Sequence, residues 1–135
     1  MTCFWKGIIN LLDVGEMNKI LDTHFNRKPP PKKFVKALKK KNIQVFTIKH
    51  NNIQLTQKET EDNYNSINEI KPTDIGNGYL CSGFEPVLFL ISYLFGYTIK
   101  HIFNKIEIIY NNPNSKGELV FGSTTTHFYS IEKHI

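Results

Sequence analysis

Cysteine is scarce in this chain: only Cys3 and Cys81 occur in 135 residues. Two thiols cannot build the disulfide framework of a small secreted domain, so a reduced, intracellular protein is expected, with the cytoplasm as its compartment. No CxxC occurs and the five histidines are scattered, which argues against a structural zinc site. Arginine is scarcer still, with Arg27 alone. The net charge of +5 is therefore carried by lysine, a point charge without the planar fork that reads phosphates and bases bidentately. Long apolar runs are missing as well. The longest, Pro86–Phe95, is about half of the ~20 residues a helical membrane span needs. Asn10 and Asp13 interrupt the first apolar segment, and no basic stretch leads it, so it does not read as a secretory signal.

What is present suffices for one globular domain over 1–135, with 40% hydrophobic and 13% aromatic residues. Phe4, Ile8, Leu11 and Leu12 recur at helical spacing and predict a helix over 3–12. A second helix is expected over 16–25, ended by the triple proline 29–31. Residues 32–41 predict an exposed helix that buries Phe34, Val35 and Leu38. Its lysines belong to the basic stretch 27–41 and read as a solvated face; nucleic-acid binding would rest on that stretch alone. Residues 43–49 alternate as a strand should, with 53–55 as the return strand. Thr56 and Glu59 form a capping-box pattern opening an acidic helix to about Ile70. A glycine-rich loop over 71–83 precedes an apolar helix over 85–95, with Pro86 in its first turn and Gly96 as its C-terminal cap. Strands are predicted over 97–103, 106–110, 118–121 and 127–131. Helices first and a meander of strands last make the class α+β, with a C-terminal antiparallel sheet.

Cys3 and His127 carry the chemistry. A cysteine on the first turn of a helix lies in the field of unpaired backbone N–H groups, which favours a nucleophilic thiolate. A histidine opening an apolar strand is placed to take the thiol proton if the fold joins the two ends of the chain. Cys81 lacks an adjacent base and reads as an inert thiol. His24, His50, His101 and His134 show no ligand spacing.

Three segments support a family resemblance. Cys3-Phe4-Trp5 opens a helix. Gly83-Phe84-Glu85 leads into a leucine-bearing helix, Pro86-Val87-Leu88-Phe89-Leu90. His127-Phe128-Tyr129-Ser130-Ile131 reads as His-aromatic-x-Ser-aliphatic. In this order they resemble the ovarian-tumour (OTU) family of papain-like cysteine proteases, which cleave ubiquitin from its targets. The compact size looks most like the reduced OTU-like domains of viruses, and the abundance of Ile, Asn, Lys, Phe and Tyr is compatible with the AT-rich genome of a large DNA virus.

The resemblance implies a thiol hydrolase acting at the C-terminus of ubiquitin or a ubiquitin-like protein, monomeric, with no metal or organic cofactor, in the cytoplasm or that of a host cell. Cys3 is then the nucleophile and His127 the base, and the backbone amides of Thr2 and Cys3 form the oxyanion hole. Trp5, Asp74, Glu85 and Tyr129 are candidate contacts for the extended basic tail of ubiquitin, with the acidic stretch 59–69 or the loop around Asp74 as a groove wall. Two departures stand out. Only Met1 and Thr2 precede Cys3, where the family carries an acidic residue. Tyr129 occupies the position two after the histidine, where Asp or Asn is usual, which leaves a Cys–His dyad or an orienter from elsewhere. The alternatives are a catalytically inactive OTU-like module that binds ubiquitin or a host protein, and a basic nucleic-acid-binding domain.

Overall fold

Capping chemistry and apolar spacing set the helices. The computed structural model describes residues 3–71, 73, 75 and 81–135, with the backbone alone for 81–83. Helix α1 spans Cys3–Leu11 and buries Phe4, Trp5, Ile8 and Ile9. Helix α2 spans Val14–Leu21; the Glu16 carboxylate accepts the Asp13 amide at its start, and Asp22 closes it in the left-handed region at φ 54°. The expected continuation to Phe25 is therefore cut at Asp22. Helix α3, Pro31–Lys40, starts on the proline run, because Pro tolerates the first helical position. Helix α4, Gln57–Asn68, opens with the reciprocal Thr56–Glu59 box at 2.9 and 3.1 Å. Helix α5, Cys81–Phe95, begins before the predicted start, so residues 81–83 are helix rather than loop and Pro86 stands inside it.

Among the described residues, five strands form one sheet in the order β1-β3-β2-β4-β5. They are β1 Lys49–His50, β2 Thr98–Phe103, β3 Ile106–Asn111, β4 Glu118–Ser123 and β5 Phe128–His134. The sheet is mixed, which corrects the antiparallel expectation: β2 and β4 run parallel, with Thr98 opposite Glu118 and Phe103 opposite Ser123. The physical reason is the crossing loop after β3, which carries the chain past β2 to its other side. The expected strand over 43–49 shrinks to Lys49 and His50, paired with Asn111 and Tyr110. Val45 and Ile48 are buried while Ile43 and Phe46 are exposed, so the segment packs with a period of three rather than two. Asn51 and Asn52 then turn in the left-handed region, and Ile53 keeps a single bridge to His50.

Helix α5 is the centre of the core. Val87, Leu90 and Ile91 are fully buried, and Gly96 at φ +77° turns the chain directly into β2. Ser92 Oγ donates to the Tyr97 carbonyl at 2.6 Å and fixes that corner.

A polar clamp ties α2 to the sheet. Glu16 accepts hydrogen bonds from the Tyr97 hydroxyl, from Lys116 at 2.9 Å and from Lys133 at 3.0 Å. Burial alone would push its carboxyl up. The hydrogen bonds from Tyr97, Lys116, Lys133 and the Asp13 amide outweigh burial and bring it down to about 2. A carboxyl held below its unfolded value stabilises the fold above about pH 4.5, and that stabilisation is lost as pH falls towards 2. Glu16→Gln should cost roughly 2 kcal/mol at neutral pH, after allowance for partial solvent screening. Urea titrations of both proteins between pH 7 and pH 2 check this. The gap should close on acidification; a gap independent of pH would contradict the clamp.

Candidate functional site

Three element starts converge around one aromatic cluster. The Phe4 ring at the head of α1 stacks on Phe84 from α5 at 4.4 Å and lies 4.8 Å from Phe128, the first residue of β5. Rings of this size bury large areas and lock the elements that carry them. Beyond the head of α1, its helical spacing puts Cys3, Gly7 and Asn10 on one face. That face rests on β5. A Cβ added at Gly7 would meet the Phe128 ring at 2.8 Å, so only glycine permits the approach. Asn10 Nδ2 donates to Ser130 Oγ at 2.7 Å. Moving down α1 from Asn10 to Gly7 corresponds to moving down β5 from Ser130 towards Phe128, so the helix runs along the strand and its Cys3 end lies towards the His127 end. Cys3 itself is half-buried against the core.

His127 is the last residue of the β4–β5 turn rather than the first of the strand, and its carbonyl accepts the Thr124 amide at 2.8 Å. The residue is exposed. Its ring stacks on Tyr129 at a centroid distance of 6.0 Å, while Phe128 between them points into the core. Strand alternation thus puts His127 and Tyr129 on one face. It also turns the resting imidazole away from the face that meets α1, and no hydrogen bond joins it to Cys3 among the described residues. Tyr129 is 44% exposed and lies across Gly122 of β4, where a Cβ would meet its ring at 2.6 Å. No carboxylate accompanies this pair of rings among the described residues.

The other expected site residues lie elsewhere. Trp5 is 2% exposed and wedged between Phe34 and Phe84, so it has no surface to offer a substrate; it is core because the inward face of α1 meets α3 and α5 there. Glu85 faces the opposite edge of the sheet, where its carboxylate accepts the Tyr110 hydroxyl at 3.0 Å. His50 Nε2 approaches the same oxygen at 3.5 Å, within ion-pair distance but without the geometry of a hydrogen bond. The acidic helix α4 packs on α5. Thr2 and Asp74 lie outside the described residues, as does the side chain of Cys81.

Two polar contacts escaped the sequence. His101, which shows no ligand spacing in the sequence, is 1% exposed, and its Nε2 lies 2.6 Å from Ser123 Oγ. Burial brings its imidazole down to about 4, so the ring is neutral at physiological pH. It packs on Phe128 at 5.5 Å and thereby supports the root of the turn that carries His127. The His50–Glu85–Tyr110 cluster is the second. Glu85 was visible as the polar first residue of the expected apolar helix, but its partners come from β1 and β3, distant in the chain. No group of three or more His, Cys, Asp or Glu among the described residues is arranged to hold a metal ion. No helix among them is long and apolar enough to cross a membrane.

No protein-family model, no curated protein and no solved structure matches the chain.

Proposed function

We propose that the chain is a cysteine-dependent hydrolase with a papain-like, OTU-like fold, in which α1 is the nucleophile helix, and that it cleaves the isopeptide bond at the C-terminus of ubiquitin or a ubiquitin-like protein. The observation that supports this best is the packing of α1 along β5, with Gly7 against Phe128 and Asn10 bonded to Ser130, which brings the helix start bearing Cys3 towards the turn bearing His127. His127 takes the Cys3 proton, and the thiolate attacks the carbonyl carbon of the terminal glycine. The oxyanion that forms is met by the Cys3 backbone amide at the head of α1. Collapse of the tetrahedral species breaks the C–N bond, His127 returns its proton to the leaving lysine amine, and a thioester remains. Water, deprotonated by His127, attacks the thioester and releases the glycine carboxylate and the free thiol. For this cycle the exposed imidazole must leave Tyr129 and swing over the end of β5 towards α1. The chemistry calls on no metal or organic cofactor, and the protein acts as a monomer in the cytoplasm, or in that of a host cell.

A second reading has its own support: the resting His127 ring stacks on Tyr129 with no acid beside it, as in a module that binds ubiquitin or a host protein without cutting. A ubiquitin probe bearing a C-terminal electrophile separates the two. Covalent labelling mapped to Cys3 is the expected result. Binding without an adduct would favour the module, and an adduct that survives Cys3→Ala would move the nucleophile to Cys81.

A further inference from the structure

The face of α3 turned to solvent is uniformly basic. Lys32, Lys33, Lys36 and Lys40 are exposed and make no ion pair or hydrogen bond among the described residues. Together with Lys39 they line a shallow hollow of about 410 Å³. Asp22, which lines a neighbouring hollow with Lys33, Lys36 and Lys40, is already engaged by Lys41. The basic surface continues past Phe25 to a second hollow beside Arg27 and Lys28. A solvated lysine face normally carries compensating acids at i±4 spacing; α3 carries none.

The chemistry of this strip selects among polyanions. Insertion into a bilayer needs an exposed apolar face, and the aliphatic and aromatic residues of α3 are buried, Phe34 and Val35 completely, so a lipid surface would be met by charge alone. A protein interface needs an apolar or aromatic core shielded by its rim, and the solvent face of α3 offers only ammonium groups. A nucleic-acid strand needs only a curved row of cations and a ring at its edge on which a base can stack. Phe25 is such a ring: half-buried, it borders the Arg27 hollow and a further hollow between the end of α2 and α3, which it lines with Asp22, Lys33, Lys36 and Lys40. We infer that Lys32, Lys33, Lys36 and Lys40 of α3, with Phe25 and Arg27 at its end, form a binding strip for single-stranded nucleic acid that reads backbone charge and not sequence. The proposal is independent of Cys3 and stands whether or not the chain is a hydrolase.

Fluorescence anisotropy with a short labelled oligothymidylate tests it. Binding should weaken with salt at a log–log slope of about −3, from roughly −0.7 for each of the lysine contacts. Replacing Lys32, Lys33, Lys36 and Lys40 together with Gln should weaken binding at least about tenfold and flatten the slope. Replacing the same residues with Arg should restore both, which separates loss of charge from loss of fold. Absence of binding at low salt, or binding unchanged in the Gln variant, would overturn the proposal. Polyglutamate or vesicles of anionic phospholipid bound as tightly as the oligonucleotide would overturn it too, in favour of an acidic protein or a membrane surface.

Discussion

Cys3→Ala should bring hydrolysis of a ubiquitin C-terminal amide to background, a loss of about a thousandfold or more, while the melting transition changes by no more than about 1 kcal/mol. Among the described residues at the head of α1, the Cys3 thiol is the one nucleophile that could form the proposed acyl intermediate. Cys3 is half-buried at the rim of the core, so removing its sulfur opens no internal cavity. Turnover of the amide with purified protein, set beside a thermal melt of the same sample, checks both halves. Full activity in the alanine variant would end the assignment of the nucleophile.

His127→Ala should cost orders of magnitude in rate, whereas Tyr129→Phe should stay within about twofold. Tyr129 stacks its ring on the imidazole at 6.0 Å. It positions the ring at rest but cannot stabilise an imidazolium as a carboxylate does. Because Tyr129 is substantially exposed, Tyr129→Asp would place a hydrated charge on the resting face of His127, away from α1, and it should leave the rate at or below that of the wild type. Rates of the variants on one substrate decide. Wild-type activity in His127→Ala, or dependence on His50 or His101 instead, would show that the base is another histidine.

The helices were legible because their signals are local. The Thr56–Glu59 box, the proline run before α3 and Gly96 after α5 each mark a boundary through chemistry contained within a few residues. The sheet was less so. Residues 43–48 alternate in type, but β3 offers an edge to Lys49 and His50 alone, and pairing depends on a neighbour that alternation cannot reveal. The parallel contact of β2 with β4 is likewise a matter of where the loop after β3 crosses. In the candidate site, Cys3 and His127 were visible as residue types in suggestive positions. Gly7, Asn10 and Ser130 join their two elements; Ser130 stood in the histidine motif and Asn10 as a break in an apolar run, but their joining role exists only in the contact. Trp5, a possible substrate contact beside the candidate nucleophile, also read as core from its place inside the first helix, and the packing of α1 on α3 and α5 makes it core.

The central claim is that Cys3 and His127 act as a pair, and a crystal structure of the covalent adduct with the ubiquitin probe tests it most directly. The account predicts the C-terminal glycine bonded to Cys3 Sγ and an imidazole nitrogen of His127 within about 4 Å of that sulfur, the ring having left Tyr129. An adduct in which His127 stays stacked on Tyr129 while another base lies against the sulfur would contradict it.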